Sequence, residues 1–462
     1  MSVAKRLLFA ALGPILLIIA ACWSYWAYRQ YRANLAPIPR NATSVVRIHI
    51  DGLIRDIAWN WWWNNGAYRD TTEHRSTIFS LKQWKQPGIR IPANLFLYQV
   101  DHVLSDQFPD VYFGSVVVDD PTAFTARLQD DLGMEIHTNH QGTVASSERT
   151  LVVIQPKRAL FALSLRKPKA DLVLLTDVLT SVLQRYGGNV AVSKSDFREI
   201  MRDGGQVSAR GEHRFSIDFK KGVATFNGRY EMDYMPARLE GTPRFADSNA
   251  VSLWVQDNLT AFLSGRQFDI GDHTLQGDSL LSHYKGRAVL EWKGTITQQD
   301  TMINYDYDDN FDPVETLEVI DKPVPEIYCS LGADTALIGY LQAQGVLEIP
   351  DNTVNRGVLP LFRVGVSALP PDYVQFHTAS EPLAPPVPSG QGRDLLYLRV
   401  DFNKLLISDF LPVVAPHLQA FDVLELSGKP ATDNRAVING TLRMKNPQLH
   451  SLVQLLETYE GR

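Results

Sequence analysis

The chain has 462 residues, 45% of them hydrophobic and 21% charged, and a formal net charge of −6. This length exceeds what one hydrophobic core usually serves, so we expect two or more domains, and the composition excludes an intrinsically disordered chain. Because the charge balance is acidic and no basic tail or stripe occurs, we expect no nucleic-acid partner.

The N-terminus predicts a membrane anchor. The run from Leu7 to Tyr28 contains no charged residue, and about 20 apolar residues suffice to span a bilayer. Aromatic residues crowd the C-terminal end of this run, where an aromatic belt would meet the lipid headgroups. They are Trp23, Tyr25, Trp26 and Tyr28. We therefore expect residues 1–32 to form a single transmembrane helix that acts as an uncleaved signal-anchor.

The same run has a second interpretation, a lipoprotein signal. The letters IIAAC end at Cys22, and small residues just before a cysteine are typical of a bacterial lipidation box. Ile19 stands where leucine is usual and the apolar run continues past the cysteine, so the anchor is preferred and lipidation of Cys22 stays open. The short N-terminal tail favours a cytoplasmic N-terminus, which places the rest of the chain in the periplasm, attached to the bacterial inner membrane. That exported part holds one cysteine, Cys329, and therefore no internal disulfide.

One local pattern occurs five times along the exported part: an apolar or alternating strand, an aspartate and an amphipathic helix. SVVRIHID precedes GLIRDIAW, for example, and VYFGSVVVDD precedes PTAFTARL. An aspartate at a helix N-cap accepts hydrogen bonds from the free N–H groups of the first turn, so we interpret the five as caps rather than a catalytic set. The junction residues are Asp51, Asp120, Asp257, Asp334 and Asp401.

The spacing of these units predicts two tandem lobes, residues 41–240 and 247–462, with a turn-rich boundary at 237–249. Two stretches with period-two alternation, 213–232 and 286–307, predict hairpins. Because several strands separate successive helices, the predicted fold class is α+β, with mixed or antiparallel sheets following the N-terminal transmembrane helix.

The junctions Asp51, Asp257 and Asp401 and the closing segment 439–457, NGTLRMKNPQLHSLVQLLE, carry a resemblance. The layout resembles a group of uncharacterised membrane-anchored or lipidated tandem-lobe envelope proteins known mainly from the Bacteroidota. Their lobes begin with a strand, a polar junction and a helix. The resemblance covers most of the exported part and implies location and architecture, but no activity.

One motif is typical of an enzyme. Gly277-Asp278-Ser279-Leu280 spells the motif that names a large class of serine esterases. No Asp-x-x-His supplies a base, and a serine without a base is not an activated nucleophile. We expect turns between strands at this point and interpret the motif as a chance occurrence. The sequence also lacks a phosphate-binding Gly-Lys-Ser/Thr loop, a dinucleotide fingerprint and a Gly-x-Ser-x-Gly elbow.

Metal-like patterns are incomplete. Acidic and amide residues alternate from Asp306 to Asp312 as at the start of a calcium loop, but Phe311 replaces the required glycine and Leu317 the required glutamate. We interpret this segment as a solvated acidic loop, with an irregular cation site left open. His137 and His140 are interpreted as surface residues, and Cys329 as a buried, inert thiol. No catalytic, cofactor-binding or metal-binding residue is therefore assigned.

The helix after Asp51 contains four of the nine tryptophans. At 100° per residue, one half of the helix carries a predicted core face. It consists of Leu53, Ile54, Ile57, Ala58, Trp61 and Trp62. Trp59 and Trp63 fall on the polar half, which predicts a second contact surface. That surface could pack against the segment containing Trp84, bind a protein partner or lie on the bilayer.

These observations predict a non-catalytic, membrane-anchored periplasmic protein that binds or scaffolds partners in a bacterial envelope assembly. Two alternatives stay open: an envelope hydrolase whose site is assembled only in the fold, and a ligand-binding protein that uses a cleft between the lobes. The N-terminal helix is the expected membrane contact, and no cofactor is expected.

Overall fold

The computed structural model of the chain describes residues 17, 20–71, 88–102, 105–108, 110–139, 142–184, 188–232, 235–236, 239–307, 313–388, 393–407, 410, 412, 414–432 and 434–460. It separates into two compact units, of which unit 1 comprises Met1–Lys220 with Gln448–His450, and unit 2 comprises Lys221–Pro447 with Ser451–Arg462. The fold combines helices with extensive antiparallel sheet, as the α+β class requires. The lobe limits 41–240 and 247–462 stay a prediction.

The helices of unit 1 are α1 (residues 20–33), α2 (Ile50–Trp63), α3 (Asn65–Thr71), α4 (Pro121–Asp130) and α5 (Leu175–Gln184). Its strands are β1 (Pro37–Pro39), β2 (Ala42–Ile48), β3 (Ile89–Arg90), β4 (Leu95–Val100), β5 (Val111–Val118), β6 (Glu135–Asn139), β7 (Gly142–Ser146), β8 (Thr150–Gln155), β9 (Arg158–Ser164), β10 (Asn189–Ala191), β11 (Val207–Arg210) and β12 (Arg214–Lys220). Single 3₁₀ turns lie at Leu172–Leu174, Val192–Lys194 and Arg198–Met201.

The strands of unit 1 pair in the order β12-β11-β2-β4-β5-β9-β8-β7-β6, all antiparallel. Alternation along β5 and β8 directs Phe113 and Leu151 into one core, where they meet Leu175 and Leu179 of α5. This sheet supports α2, which directly follows β2.

Unit 2 contains the helices α6 (Thr260–Leu263), α7 (Gly277–His283), α8 (Ala336–Ala343), α9 (Phe402–Ile407), α10 (Ala415–Leu418) and α11 (Ser451–Glu460). Its strands are β13 (Val223–Glu231), β14 (Val251–Val255), β15 (Gln267–Ile270), β16 (His273–Gln276), β17 (Tyr284–Tyr307), β18 (Pro313–Ala333), β19 (Leu347–Glu348), β20 (Thr353–Val354), β21 (Gly365–Leu369), β22 (Tyr373–His377), β23 (Leu396–Asp401), β24 (Phe421–Pro430) and β25 (Arg435–Met444).

The sheet of unit 2 has the order β13-β25-β24-β23-β14-β17-β18-β22-β21-β20-β19, and every pairing is antiparallel. Strands β15 and β16 form a separate hairpin. The predicted hairpin at 286–307 is wrong, because these residues lie within the single strand β17 and their partner is β18.

The junction aspartates do not all act as predicted. Asp120 is the N-cap of α4 and accepts hydrogen bonds from the N–H groups of Thr122 and Ala123, which confirms the prediction there. Asp51 instead lies inside the first turn of α2, whose N-cap position is held by His49. The prediction of a cap at Asp51 is therefore wrong, and the Asp51 carboxylate instead accepts a hydrogen bond from Arg29.

Within the described ranges, no helix is both long and apolar enough to cross a membrane. Most of the predicted span Leu7–Tyr28 lies outside those ranges, and α1 contains its last part.

Candidate functional site

Helix α2 buries a polar stripe rather than an apolar one. Gly52, Asp56 and Asn60 are spaced four apart, and Gly52 and Asn60 are its buried residues. The Asp56 carboxylate accepts a hydrogen bond from Gln206 Nε2 at 2.7 Å. Asn60 Nδ2 donates to the carbonyl oxygen of Gln448 at 3.2 Å. Hydrogen bonds from distant residues therefore help to seat this helix on unit 1.

Two further contacts complete this polar seat. The Tyr68 hydroxyl of α3 donates to Asn60 Oδ1 at 2.5 Å, so α3 is fixed to α2 by a buried pair. Gly52 lets the His49 ring approach closely, because a Cβ at this position would lie 2.6 Å from His49 Nδ1. Burial, the largest cause, lowers the pKa of His49, and the nearby Arg47 lowers it further.

The start of α2 is joined to the end of α1 by a set of contacts that we call the anchor clamp. Arg29 Nη2 donates to Asp51 Oδ1 at 2.9 Å and to the carbonyl oxygen of Ile91 at 3.1 Å. Gln30 Oε1 accepts a hydrogen bond from Asn94 Nδ2 at 2.9 Å. The clamp consists of Arg29, Gln30, Asp51, Ile91 and Asn94, and it begins one residue after the end of the uncharged run.

Helix α2 carries four exposed tryptophans, which we call the tryptophan surface: Trp61 and Trp62 lie on the side opposite the polar seat, and Trp59 and Trp63 lie beside it at the C-terminal end of the helix. Trp59, Trp61, Trp62 and Trp63 are 66%, 43%, 70% and 66% exposed. The rings of Trp59 and Trp63 contact each other edge to face, with centroids 5.8 Å apart. The prediction that Trp61 and Trp62 belong to a core face is wrong, because the helix is seated by Gly52 and Asn60 instead. The Trp84 segment lies outside the described residues.

The esterase-like motif lies on a helix rather than in turns. Ser279 is on α7, and His283, four residues later, faces Asp334 with Nδ1 and Oδ1 3.0 Å apart. Sequence reasoning missed this histidine because it searched for an Asp-x-x-His pattern, the spacing that serine esterases of this class use. The Asp334 carboxylate also accepts a hydrogen bond from Ala336 N, at the start of α8. The helix of the motif thus ends in a histidine that contacts an aspartate from the start of α8, and in the described part of the chain Ser279 makes no hydrogen bond to this pair.

A second serine–histidine pair lies in the sheet of unit 2. Ser367 Oγ is 3.1 Å from His377 Nε2, and His377 Nδ1 is 2.8 Å from the carbonyl oxygen of Ala379. A carbonyl at Nδ1 fixes the tautomer in which Nε2 accepts the serine proton. The signal could not be found in the sequence, because β21 and β22 bring the two residues together only in the fold.

Metal ligands do not cluster in the described part of the chain: no group of three or more histidine, cysteine, aspartate or glutamate side chains could hold an ion there. The acidic loop Asp308–Asp312 and His140 lie outside the described residues, whereas His137 is exposed and lies 3.7 Å from Glu135. Cys22 is an exposed free thiol, and burial raises the pKa of Cys329 to about 11, which disfavours the reactive thiolate.

Unit 2 contains a cavity of about 450 Å³ beside Tyr284, Lys285 and Arg287. Its cations already have anionic partners: Arg287 pairs with Glu240, and Lys285 Nζ is 3.0 Å from Asp372. The Arg287 guanidinium also lies over the Tyr373 ring, 4.5 Å from its centroid. The charges of this cavity are therefore engaged in holding the fold.

Comparison with known proteins assigns the chain to no class. No family model matches it, and no curated protein does so either. Three solved structures, crystal forms I, III and IV of TP0453, are 12%, 10% and 12% identical and cover 53%, 74% and 54% of this chain. The matches take in 95%, 90% and 96% of those chains, with TM-scores of 0.23, 0.22 and 0.25. At such TM-scores the likeness carries no argument about fold or function.

Proposed function

We propose that the chain is a non-catalytic, membrane-anchored protein that binds or scaffolds partners in a bacterial envelope assembly. Residues Leu7–Tyr28 supply the transmembrane anchor, and the two units lie in the periplasm at the inner membrane. The length of the uncharged run supports the anchor, and the resemblance of the layout to tandem-lobe envelope proteins supports the location. One structural observation, a β-ribbon that extends beyond the neighbouring strands of the unit 2 sheet, supports the binding role.

Strands β17 and β18 extend far beyond the sheet that contains them. β17 pairs with β14 only from Ala288 to Trp292, and β18 pairs with β22 only from Tyr328 to Gly332. Asp300 of β17 pairs with Arg356 at 3.1 Å. Beyond that point Thr301–Tyr307 pairs with Pro313–Val319, and the described pairings give these residues no other strand.

We call these two segments the β-arm. Seven residues of strand extend about 23 Å, since a strand rises about 3.3 Å per residue. A two-stranded ribbon is marginally stable alone in water, and its edges present unpaired N–H and C=O groups that another strand can join. Leu317 and Val319 are exposed on the arm. These features support a protein partner that pairs with the arm or packs on it.

In-cell crosslinking followed by affinity purification tests this function, with the native chain beside a Leu317→Ser/Val319→Ser variant. A matched control is Val387→Ser/Ile407→Ser, which removes two apolar side chains elsewhere in unit 2 that are even more exposed. We expect a specific envelope protein to be captured by the native chain and the control, and lost from the arm variant. Capture of the same partners by all three chains would contradict a role for the arm.

The mode of attachment has its own test, because lipidation of Cys22 remains an alternative anchor. Metabolic labelling with a clickable fatty acid would mark a lipidated cysteine. We expect no label on the native chain, and a membrane fraction that is unchanged in Cys22→Ala. Label that disappears in Cys22→Ala would instead establish a lipoprotein.

A hydrolase is the second candidate function, favoured by the Ser367–His377 pair. The pair supplies a nucleophile and an oriented base, although Ser367 lines neither the cavity beside Arg287 nor a second cavity beside Tyr397 in unit 2. A fluorophosphonate probe labels activated serines. Under the proposed binding role we expect no labelling, and labelling lost in Ser367→Ala but kept in Ser279→Ala would establish the hydrolase.

A further inference from the structure

We propose that the tryptophan surface of α2 lies in the headgroup layer of the same bilayer that holds the N-terminal anchor. This inference rests on the proposed membrane anchor, and it is independent of the β-arm and its partner. Helix α2 would then be a second, interfacial membrane contact of unit 1.

The anchor clamp is the first observation behind this inference, because it fixes the start of α2 to the part of α1 that follows the uncharged run. Arg29 follows Tyr28 directly, and the Arg29–Asp51 ion pair is 2.9 Å long. If the uncharged run crosses the bilayer, Arg29 emerges at its surface and Asp51 lies beside it. Trp63 is 12 residues from Asp51, so the whole tryptophan surface lies within about 18 Å of the clamp.

The orientation of α2 is the second observation behind this inference. Its polar stripe, Gly52, Asp56 and Asn60, is turned into unit 1, so the opposite side, which carries Trp61 and Trp62, faces outwards. Burial of apolar surface is the usual reason for a helix to face one way, and here the apolar side has no cover within the described chain. A lipid headgroup layer around the indole rings would shield this apolar surface from water and so remove the free-energy cost of exposing it.

The chemistry of the exposed residues favours lipid over a protein. Tryptophan prefers the membrane–water interface, where its ring meets acyl chains and its N–H meets water or headgroups. Trp23 and Trp26 of α1 are also exposed, in the run predicted to enter the bilayer. The two tryptophan-rich segments are thus joined by the clamp, and a 14-residue helix of about 21 Å is too short to span the hydrocarbon core and long enough to lie on it.

The test uses the full-length chain with a fluorescent nitrobenzoxadiazole amino acid in place of Trp62, reconstituted into phosphatidylcholine–phosphatidylglycerol vesicles. Quenching by doxyl groups on the lipid chains is compared with quenching by aqueous iodide. The control carries the same probe in place of Leu132, which is 67% exposed in the turn after α4 of unit 1. A chain labelled at Trp63 provides a second position, and circular dichroism checks that each chain is folded.

We expect several-fold stronger lipid quenching at position 62 than at position 132, and the reverse for iodide. Iodide quenching at both positions in a chain that floats with the vesicles would overturn the inference and leave the anchor intact. Protection of position 62 from both quenchers would indicate a protein contact, and would also overturn it. A chain that does not float with vesicles would refute the proposed anchor itself.

Discussion

At the scale of single residues, unit 1 is organised around buried charge. The Asp203 side chain is 4% exposed and accepts two hydrogen bonds from Arg210, one of them 2.7 Å long, and one from Arg214. These bonds hold the pKa of Arg210 above its usual range. Arg47, also buried, donates to the carbonyl oxygens of Met201 and Asp203, at 2.9 and 2.8 Å. Side chains and backbone together thus supply the partners of Asp203 and of the Arg47 Nη atoms, whereas Arg47 Nε has no hydrogen-bond partner among the described residues.

This arrangement predicts a large cost for removing Asp203. Asp203→Ala leaves Arg210 partly buried without its main anion, so we expect the free energy of unfolding to fall by about 3–5 kcal/mol. Asp119→Ala is the control, because its pair with Arg90 is solvent-exposed and worth about 0–1 kcal/mol. Urea unfolding followed by circular dichroism measures both, and equal losses would contradict the assignment.

Buried histidines predict a pH dependence for unit 1. Burial is the largest cause that lowers the pKa values of His49, His102 and His450, and for His450 the nearby Asp56 carboxylate partly opposes it. A histidine with a lowered folded pKa is protonated first in the unfolded state. Stability is therefore full above the unfolded value near 6.5 and is lost as pH falls through that value towards the folded one.

We expect the urea concentration at the midpoint of unfolding to decrease as the pH is lowered from about 7.5 to about 5.5, the range in which histidines dominate the titration. His450→Gln should flatten this slope, whatever it does to the absolute stability, because one buried titrating group is removed. His137→Gln changes an exposed histidine and should leave the slope as it is. An unchanged slope in His450→Gln would refute the role of this residue.

At the scale of elements, α2 shows where sequence periodicity predicts well and where it fails. The strand, aspartate and helix pattern predicted the helix, and the helix is there. The pattern could not show which half faces inwards, because that choice depends on Gln206 and Gln448, which lie far away in the sequence. The error at Trp61 and Trp62 thus came from assuming that a helix buries its more apolar side.

Because α2 buries its polar side, substitutions on its two sides should have opposite effects to those expected for an apolar core face. Asn60→Ala removes hydrogen bonds to Gln448 and from Tyr68, so we expect a loss of about 1–3 kcal/mol in the free energy of unfolding. Trp62→Ala removes a much larger but exposed side chain and should change it by no more than about 0.5 kcal/mol in detergent. Urea unfolding compares the two variants. A larger loss for Trp62→Ala would show that the indole is part of a packed core.

Long strands were the other element that the sequence described incompletely. Alternation in 286–307 was recognised, but the segment is one strand of the β17–β18 pair, and the partner starts after the acidic loop. A period of two indicates a strand without showing where it turns, and Gly294 lies at a register shift rather than in a turn. Local sequence patterns therefore could not predict the β-arm.

At the scale of the whole molecule, composition and local pattern predicted the α+β class of fold and the cap at Asp120, and they left open whether the sheets were mixed or antiparallel. They could not predict contacts that join distant segments, such as the Ser367–His377 pair and the anchor clamp. If the uncharged run is the membrane anchor, as proposed, the clamp would convert a flexible tether into a fixed attachment. A chain that is only tethered would sample many orientations above the membrane, whereas a clamped unit presents the same surface to it.

The clamp predicts that the contact of α2 with lipid depends on Asp51. Asp51→Asn removes the charge that holds Arg29 at 2.9 Å, while the uncharged run of the proposed anchor is unchanged. We expect the variant to float with vesicles as before, but lipid quenching of a probe at position 62 to weaken towards the value at position 132.

Asp119→Asn is the matched control for this prediction, since its ion pair with Arg90 is exposed and far from α1 in the sequence. It should leave the quenching at position 62 unchanged. Undiminished lipid quenching in Asp51→Asn would mean that the tryptophans reach the bilayer by their own affinity, so that the clamp would be a consequence of docking rather than its cause. Weakened quenching would show that an ion pair at the membrane surface sets the orientation of unit 1.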